Sequence, residues 1–385
     1  MLKKYFSIFI KYFANIIKFV FKPAWPNQFI LFLLLGATIN IHAQENKQIA
    51  TESVFEEEII LNRYANNEQV VSFIDDMVAS YDFDRATLNQ LFSQVSYSAS
   101  AVKLVTATGP KAVKNWRQYL TRIINNQRIE EGIRFYNTHI SALNAAAREY
   151  GVPPAIIVAI IGLETSYGQN TGSFHVFDVL STLAFDYPAA PNQEARRILF
   201  RKNLEDYLIW TRANNIDPRV IQGSYTGAIG LPQFMPSSIL KYAVSTELNR
   251  SVDLINNIND AIFSVANFLK QHGWQTGRPI AWPIANDQGS YEIASAGLVE
   301  CPSKQCTLQK LTRAGLFLNS PNNQVLTEML SPITIVDLPT PEERTQFLVG
   351  FQNFDVIMNY NRSYFYATSV FELANRLQNR ISISN

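Results

Sequence analysis

Glu164 closes an almost wholly apolar run, Val152-Pro153-Pro154-Ala155-Ile156-Ile157-Val158-Ala159-Ile160-Ile161-Gly162-Leu163-Glu164-Thr165-Ser166-Tyr167-Gly168. The two prolines suit the first turn of a helix, where a missing N–H costs nothing. The residues that follow are apolar on all sides, the mark of a buried helix, and Gly168 reads as its C-terminal stop. A carboxylate at that end loses solvation and faces the negative pole of the helix dipole, and both effects disfavour the anion. Such a group keeps a proton near neutral pH and can pass it to a glycosidic oxygen. A capping or salt-bridged glutamate fits the same pattern, and the segment alone leaves both readings open.

Other chemistries find little footing. Ordinary glycosidases use two carboxylates; Asp178 and Asp186 follow Glu164, but each reads as well as a helix-start or turn residue. The histidines, His42, His139, His175 and His272, are scattered and form no ligand pattern. Neither a Walker A loop nor a dinucleotide fingerprint is present. Ser224 lies in Gly-Ser-Tyr-Thr-Gly, which is not nucleophile-elbow spacing. Metal, nucleotide and serine-hydrolase chemistry therefore lack support, and no cofactor is expected. Cys301 and Cys306, the only two cysteines, are spaced for a small-loop disulfide rather than a metal site.

The elements that must position Glu164 are mostly helical. With 385 residues, 47% hydrophobic and 17% charged, the chain can bury one large core or two medium ones. Its 25 Phe and 17 Tyr fill a core or line a surface for sugar faces. Lys3, Lys4, Lys11, Lys18 and Lys22 precede any acidic residue, so the +1 net charge conceals a mildly acidic body that gives no reason to expect nucleic acid. Residues 1–43 read as a targeting segment: Phe29 to Gly36 is an apolar stretch with lysines upstream, and Ile41-His42-Ala43 is a small-residue exit. Cleavage near Ala43 predicts an exported, periplasmic protein; retention of the apolar segment predicts membrane association through the N-terminus. Residues 44–275 carry helical periodicity, with Ile74, Met77 and Val78 on one apolar face. Residues 276–338 read as a small, irregular, partly β insertion, with Tyr291-Glu292-Ile293 and Ile333-Thr334-Ile335-Val336 as β-like runs. Helical periodicity returns in 339–385. The fold class expected is mainly α, a helical core with this small mixed insertion.

A second motif lies downstream, Gly223-Ser224-Tyr225-Thr226-Gly227-Ala228-Ile229-Gly230-Leu231-Pro232-Gln233-Phe234-Met235-Pro236-Ser237-Ser238. With the glutamate segment it resembles the lytic murein transglycosylase B family, which has a lysozyme-like fold and cleaves bacterial peptidoglycan. Asn115-Trp116-Arg117-Gln118-Tyr119, the stretch Phe177 to Pro188, the stretch Ser264 to Trp274, and Tyr360-Asn361-Arg362-Ser363-Tyr364-Phe365-Tyr366-Ala367 extend the resemblance in order from about Glu52 to Leu377. It implies an enzyme in which Glu164 protonates the bond between N-acetylmuramic acid (MurNAc) and N-acetylglucosamine (GlcNAc). The C6 hydroxyl of MurNAc then attacks its own anomeric carbon and leaves a 1,6-anhydro end. Intramolecular attack explains how one carboxylate suffices.

The resemblance also implies substrate-binding roles. Ser224 and Gln233 sit on a small-residue loop that admits sugar rings, with turn capping the alternative for Ser224. Tyr360 and Asn361 suit an N-acetyl group, with interhelical bonding the alternative. Tyr119 and Tyr366 match tyrosines of the family's groove, with core packing the alternative. The expected partners are peptidoglycan glycan strands, with other cell-wall enzymes left open. Three departures stand out. Phe268 replaces a common tyrosine. An insertion near Ala189 to Arg197 obscures another groove tyrosine. Some members bind calcium after the Gln/Pro/Ser segment, but here Ser245 to Asp253 has an arginine inside and too few carboxylates, so no metal is expected. A hydrolytic muramidase and an inactive peptidoglycan-binding protein are the rival readings.

Overall fold

The computed structural model describes residues 63–385, apart from 107–112, 249, 302–303, 320–324 and 385; the expected targeting segment, 1–43, lies outside the described residues. The helices are α1 (Glu68–Tyr81), α2 (Arg85–Ser93), α3 (Ala99–Thr106), α4 (Trp116–Ile123), α5 (Asn126–Thr138), α6 (Ile140–Tyr150), α7 (Pro154–Thr165), α8 (Val176–Phe185), α9 (Gln193–Ala213), α10 (Pro236–Tyr242), α11 (Ile258–Gln271), α12 (Gln288–Glu300), α13 (Leu308–Arg313), α14 (Val325–Glu328), α15 (Gln352–Met358) and α16 (Tyr364–Ser384). The strands are β1 (Phe174–His175), β2 (Gln222–Gly223), β3 (Ala281–Pro283), β4 (Cys306–Thr307), β5 (Pro332–Leu338) and β6 (Gln346–Gly350). The fold is mainly helical, with two small antiparallel sheets among the described residues.

Helix α7 is the centre of the core. Pro153 and Pro154 start it, and Ala155 through Gly162 are buried on every side. Helices α5, α6, α11 and α16 surround it. Long α16 turns a stripe of Tyr366, Val370, Leu373, Leu377 and Ile381 inward, the spacing of one helical face. Short helices at the rim owe their starts to side-chain caps: Asn115 accepts from the Gln118 N–H at 3.0 Å, and Asn125 from the Arg128 N–H at 2.9 Å. Ile74 and Met77 are buried on α1, and Val78 is half-buried beside them. No single described helix is long and apolar enough to cross a membrane.

A four-stranded antiparallel sheet, ordered β3-β6-β5-β4, has its own apolar cluster, including Trp282, Phe347, Ile335 and Val349. The Cys301–Cys306 disulfide lies within that cluster. Two sequence expectations are corrected here. Tyr291-Glu292-Ile293 is helical, not β-like, because Asp287 caps α12 by accepting from the Ser290 N–H at 2.8 Å; a cap outweighs a three-residue preference. Strand β6 falls within 339–385, which the periodicity assigned to helix. It runs between β3 and β5, and Phe347 to Gly350 are all buried. A strand covered on both faces shows no alternation, so its apolar run resembles a buried helix.

Candidate active site

The apolar helix brings Glu164 to the edge of the core. The helix ends at Thr165 rather than at Gly168, with Ser166 at φ 49° and Tyr167 at φ 60°. Two consecutive left-handed non-glycine residues are costly and persist only where the surroundings impose them. Here the Tyr167 ring folds back onto Gly162, where a Cβ would collide with it, and its hydroxyl donates to the Arg128 carbonyl at 3.0 Å. Arg128 also donates to the Ser166 hydroxyl at 3.1 Å. The turn after the acid is therefore fixed by side chains, not by glycine.

Glu164 is half-buried, and loss of solvation pushes its carboxyl up to about 7. A hydrogen bond from the Tyr366 hydroxyl to Oε1, 2.6 Å long, opposes that rise. Among the described residues it is the one hydrogen bond to this carboxylate. The Tyr366 ring is buried and stacks on Tyr360, with centroids 6.4 Å apart and planes 15° apart. Burial raises the pKa of both phenols well above its ordinary value, so each stays a donor. The Tyr360 hydroxyl donates to the Pro232 carbonyl at 2.6 Å, fastening the C-terminal motif to the Gly/Pro/Ser loop.

That loop is a compact fold of backbone. Ile229 exchanges backbone bonds with Phe234 at 2.9 and 3.1 Å, and Gly230 sits at φ 70° where a Cβ would strike the Leu254 carbonyl. The Ser224 hydroxyl accepts from the Ala228 N–H at 3.0 Å and lies 3.1 Å from Thr226 Oγ1. The alternative reading, turn capping, thus describes its contacts. Gln233, at φ 52°, donates from Nε2 to the Thr171 and Gly230 carbonyls at 3.0 and 2.9 Å. Both amide protons are engaged, so the group Gln233 keeps for a ligand is the Oε1 acceptor.

Of the residues chosen from sequence, Glu164, Tyr366 and Tyr360 come together as one contact chain. Burial raises the Tyr119 pKa, and the Glu164 charge adds to the rise, which places this ring in the acid's electrostatic reach. Asn361 is exposed beside Tyr360. No direct hydrogen bond joins Ser224, Gln233 or Asn361 to the Glu164 carboxylate among the described residues. Phe268, the departure from tyrosine, sits among rings: His272 at 4.1 Å, Tyr360 at 4.8 Å, Tyr242 at 5.0 Å and Phe234 at 5.6 Å. Asp178 belongs to the first turn of α8 and accepts from the Ser96 N–H at 3.0 Å; Asp186 is paired with Arg63 at 3.0 Å. Thr165 is a residue the sequence reading passed over. Buried next to the acid, its hydroxyl donates to the Leu231 carbonyl at 3.1 Å and accepts from the Gly168 N–H at 3.0 Å. It ties the acid's helix to the loop, and the available signal was a polar residue inside the apolar run.

The model of the transglycosylase SLT domain family matches residues 65–375. The chain belongs to this family. It is 35% identical over 318 residues to the membrane-bound lytic murein transglycosylase B of Escherichia coli (strain K12), an alignment covering 80% of this chain and 82% of that protein. The soluble lytic transglycosylase SltB1 from Pseudomonas aeruginosa superposes with a TM-score of 0.72 at 36% identity, covering 82% of this chain and 99% of that one. The lytic transglycosylase Slt35 of Escherichia coli, solved in complex with calcium, superposes with a TM-score of 0.70 at 32% identity, covering 82% and 94%. This family member is accordingly a lytic transglycosylase of the same type.

Among the described residues of the loop before α11, the groups that could hold a calcium ion are already engaged. Asp260 is 0% exposed and already accepts from the Thr246 N–H at 2.9 Å, the Thr246 hydroxyl at 2.8 Å and the Asp253 N–H at 2.9 Å. The Arg250 guanidinium lies 2.7 Å from Oδ2, the oxygen that accepts from the Asp253 N–H, and also pairs with Glu247. A fixed cation therefore neutralises the buried carboxylate, and both its oxygens are already engaged. No group of three or more His, Cys, Asp or Glu converges among the described residues. The residues here do not fit calcium.

Proposed function

We propose that this enzyme cleaves the MurNAc-β-1,4-GlcNAc bond of peptidoglycan and closes a 1,6-anhydro-MurNAc end, with Glu164 as the single general acid and base. The observation that carries the reading is the Glu164 carboxyl itself, set at the end of the apolar helix, raised by burial to about 7 and held by the Tyr366 hydroxyl at 2.6 Å. Asp178 answers to its own burial, to Ser96 and to His175, and Asp186 is occupied by Arg63. A two-carboxylate mechanism needs a free partner within about 5–10 Å of the acid, and both downstream candidates are already engaged, Asp178 by the Ser96 N–H and Asp186 by Arg63.

In the first step the Glu164 proton passes to the glycosidic oxygen as the C1–O bond breaks. In the second, the carboxylate takes the proton of the C6 hydroxyl as O6 bonds to C1, and the enzyme returns to its starting form. The substrate's own hydroxyl has the entropic advantage over water. Tyr119, Tyr360, Asn361 and Gln233 bind the sugars around the acid, and Ser224 holds the loop that carries Gln233.

Mass spectrometry of fragments released from purified sacculi tests this directly. The expected ends are anhydro sugars, lighter by one water than the reducing ends a hydrolytic muramidase leaves. Asp178→Asn should keep its activity and only weaken the hydrogen bond from the Ser96 N–H, ~1 kcal/mol of stability. Reducing ends, with a folded but inactive Asp178→Asn protein, would make the enzyme a two-carboxylate hydrolase.

A substrate of this kind places the enzyme in the cell envelope, and the lysine-flanked apolar stretch before Gln44 agrees with export. N-terminal sequencing of the protein from the envelope fraction should read from near Gln44. An intact Met1 in the membrane fraction would instead make residues 1–43 an anchor.

A further inference from the structure

One carboxylate outside the reaction has no described use. Glu372 lies on α16, the helix that carries Tyr366, and it lines a cavity of about 260 Å³. The other walls come from distant parts of the chain: Trp116 at the start of α4, Tyr291 of α12, and Phe347 with Leu348 of β6. The cavity adjoins the site through Trp116, whose ring stacks on Tyr119 with centroids 6.1 Å apart. Glu372 also borders a second hollow of about 510 Å³, with Trp282 and Phe371.

The charge around this carboxylate is unbalanced. Burial raises the Glu372 pKa, and the one opposing influence is Arg376, an exposed residue a turn further along the helix. No hydrogen bond or ion pair with a described residue engages its oxygens. No lysine or arginine lines the 260 Å³ cavity. Arg344 stands at the rim over Tyr291, 4.1 Å from the ring, but its donors go to the Asn286 and Asp287 carbonyls and to Gln288. A half-buried carboxylate in a partly aromatic cavity, with no cation bonded to its oxygens among the described residues, suits a primary ammonium, which gains a charge-assisted hydrogen bond. The volume falls just below the range of about 300–1,000 Å³ typical of sites for whole small molecules. It fits one amine-bearing side chain better than a disaccharide.

We propose that this cavity binds the free primary amine of the peptide stem borne by the MurNAc residue in the active site, with Glu372 as its counter-ion. The assignment rests on the peptidoglycan reading above. A glycan strand offers hydroxyls, N-acetyl groups and carboxylates; its cation is the amine of a diamino acid in the stem. Anchoring that amine next to Tyr119 fixes where along the strand the muramic acid stops relative to Glu164. The enzyme then prefers strands whose stems carry an unblocked amine.

The test compares three substrates: sacculi with free stem amines, the same sacculi with those amines acetylated, and glycan strands stripped of their peptides. The wild-type enzyme should lose about fivefold in kcat/KM when the amines are acetylated, and Glu372→Gln should lose about the same on untreated sacculi. Acetylation should cost Glu372→Gln nothing further, as two changes to one contact do not add. Both enzymes should cleave peptide-free strands equally. Equal wild-type rates on acetylated and untreated sacculi would overturn the proposal, and this arm needs no variant to fold. An equal loss by Glu372→Gln on all three substrates would reduce Glu372 to a structural role and also overturn it. Failure of the wild type to cleave any of the three would instead strike the peptidoglycan reading.

Discussion

Glu164→Gln should lose at least ~10²-fold in activity, the scale of a removed general acid, while binding sacculi as before. Glutamine preserves the shape and can still accept from Tyr366, but it has no proton to give. The same change should stabilise the protein in a pH-dependent way. The acid has an ordinary pKa of 4.5 and is pushed up to about 7 by burial. Between those values the folded chain binds a proton that the unfolded chain has released, so stability falls as pH rises through that window and stays reduced above it. Glutamine carries no charge to desolvate. The variant should match the wild type near pH 4 and exceed it at pH 8, by up to about 3 kcal/mol at 1.36 kcal/mol per pKa unit. Urea melts at the two pH values read the difference. Near-normal turnover by Glu164→Gln would end the mechanism, and equal stability at both pH values would show that the carboxyl is not desolvated.

Much of this site is written locally. The apolar run sets a buried helix, and the position of Glu164 at its end sets the environment of the acid, because helix burial and dipole act over one turn. The Gly/Pro/Ser loop was legible for a similar reason: Gly230 has no room for a side chain, so its type reports a close approach. What could not be read locally depends on chain segments that meet only in three dimensions. Tyr366 reaches Glu164 from 202 positions away; the resemblance marks it as a groove tyrosine, but nothing in its segment shows that its hydroxyl holds the acid. The helix stop was misplaced at Gly168 because the left-handed turn at Ser166 is imposed by Arg128 and Tyr167 rather than by a permissive residue. The Ser224 hydroxyl accepts from the Thr226 and Ala228 N–H groups, contacts set by the turn's backbone rather than by residue type. Strand β6 lost its period because both of its faces are covered.

Tyr366→Phe should separate holding the acid from binding the sugar. The hydroxyl donates to Oε1 of Glu164 and stabilises the anion, so removing it raises the carboxyl above its present value of about 7. A general acid works while protonated, so the alkaline limb of the kcat/KM profile follows its pKa. In the variant that limb should move to higher pH. The rate on the acidic side should fall about tenfold, since a hydrogen bond to a charged group contributes roughly 1.5–3 kcal/mol and here also aims the carboxyl. Tyr360→Phe is the matched control. Its hydroxyl bonds the Pro232 carbonyl rather than the acid, so its loss should loosen the loop and raise KM while leaving the alkaline limb in place. The two phenols stack ring on ring, so the two variants disturb the same apolar surroundings and differ in the hydrogen bond they delete. A limb that stays put in Tyr366→Phe, or moves by the same amount in both variants, would mean that the 2.6 Å bond does not set the state of the acid.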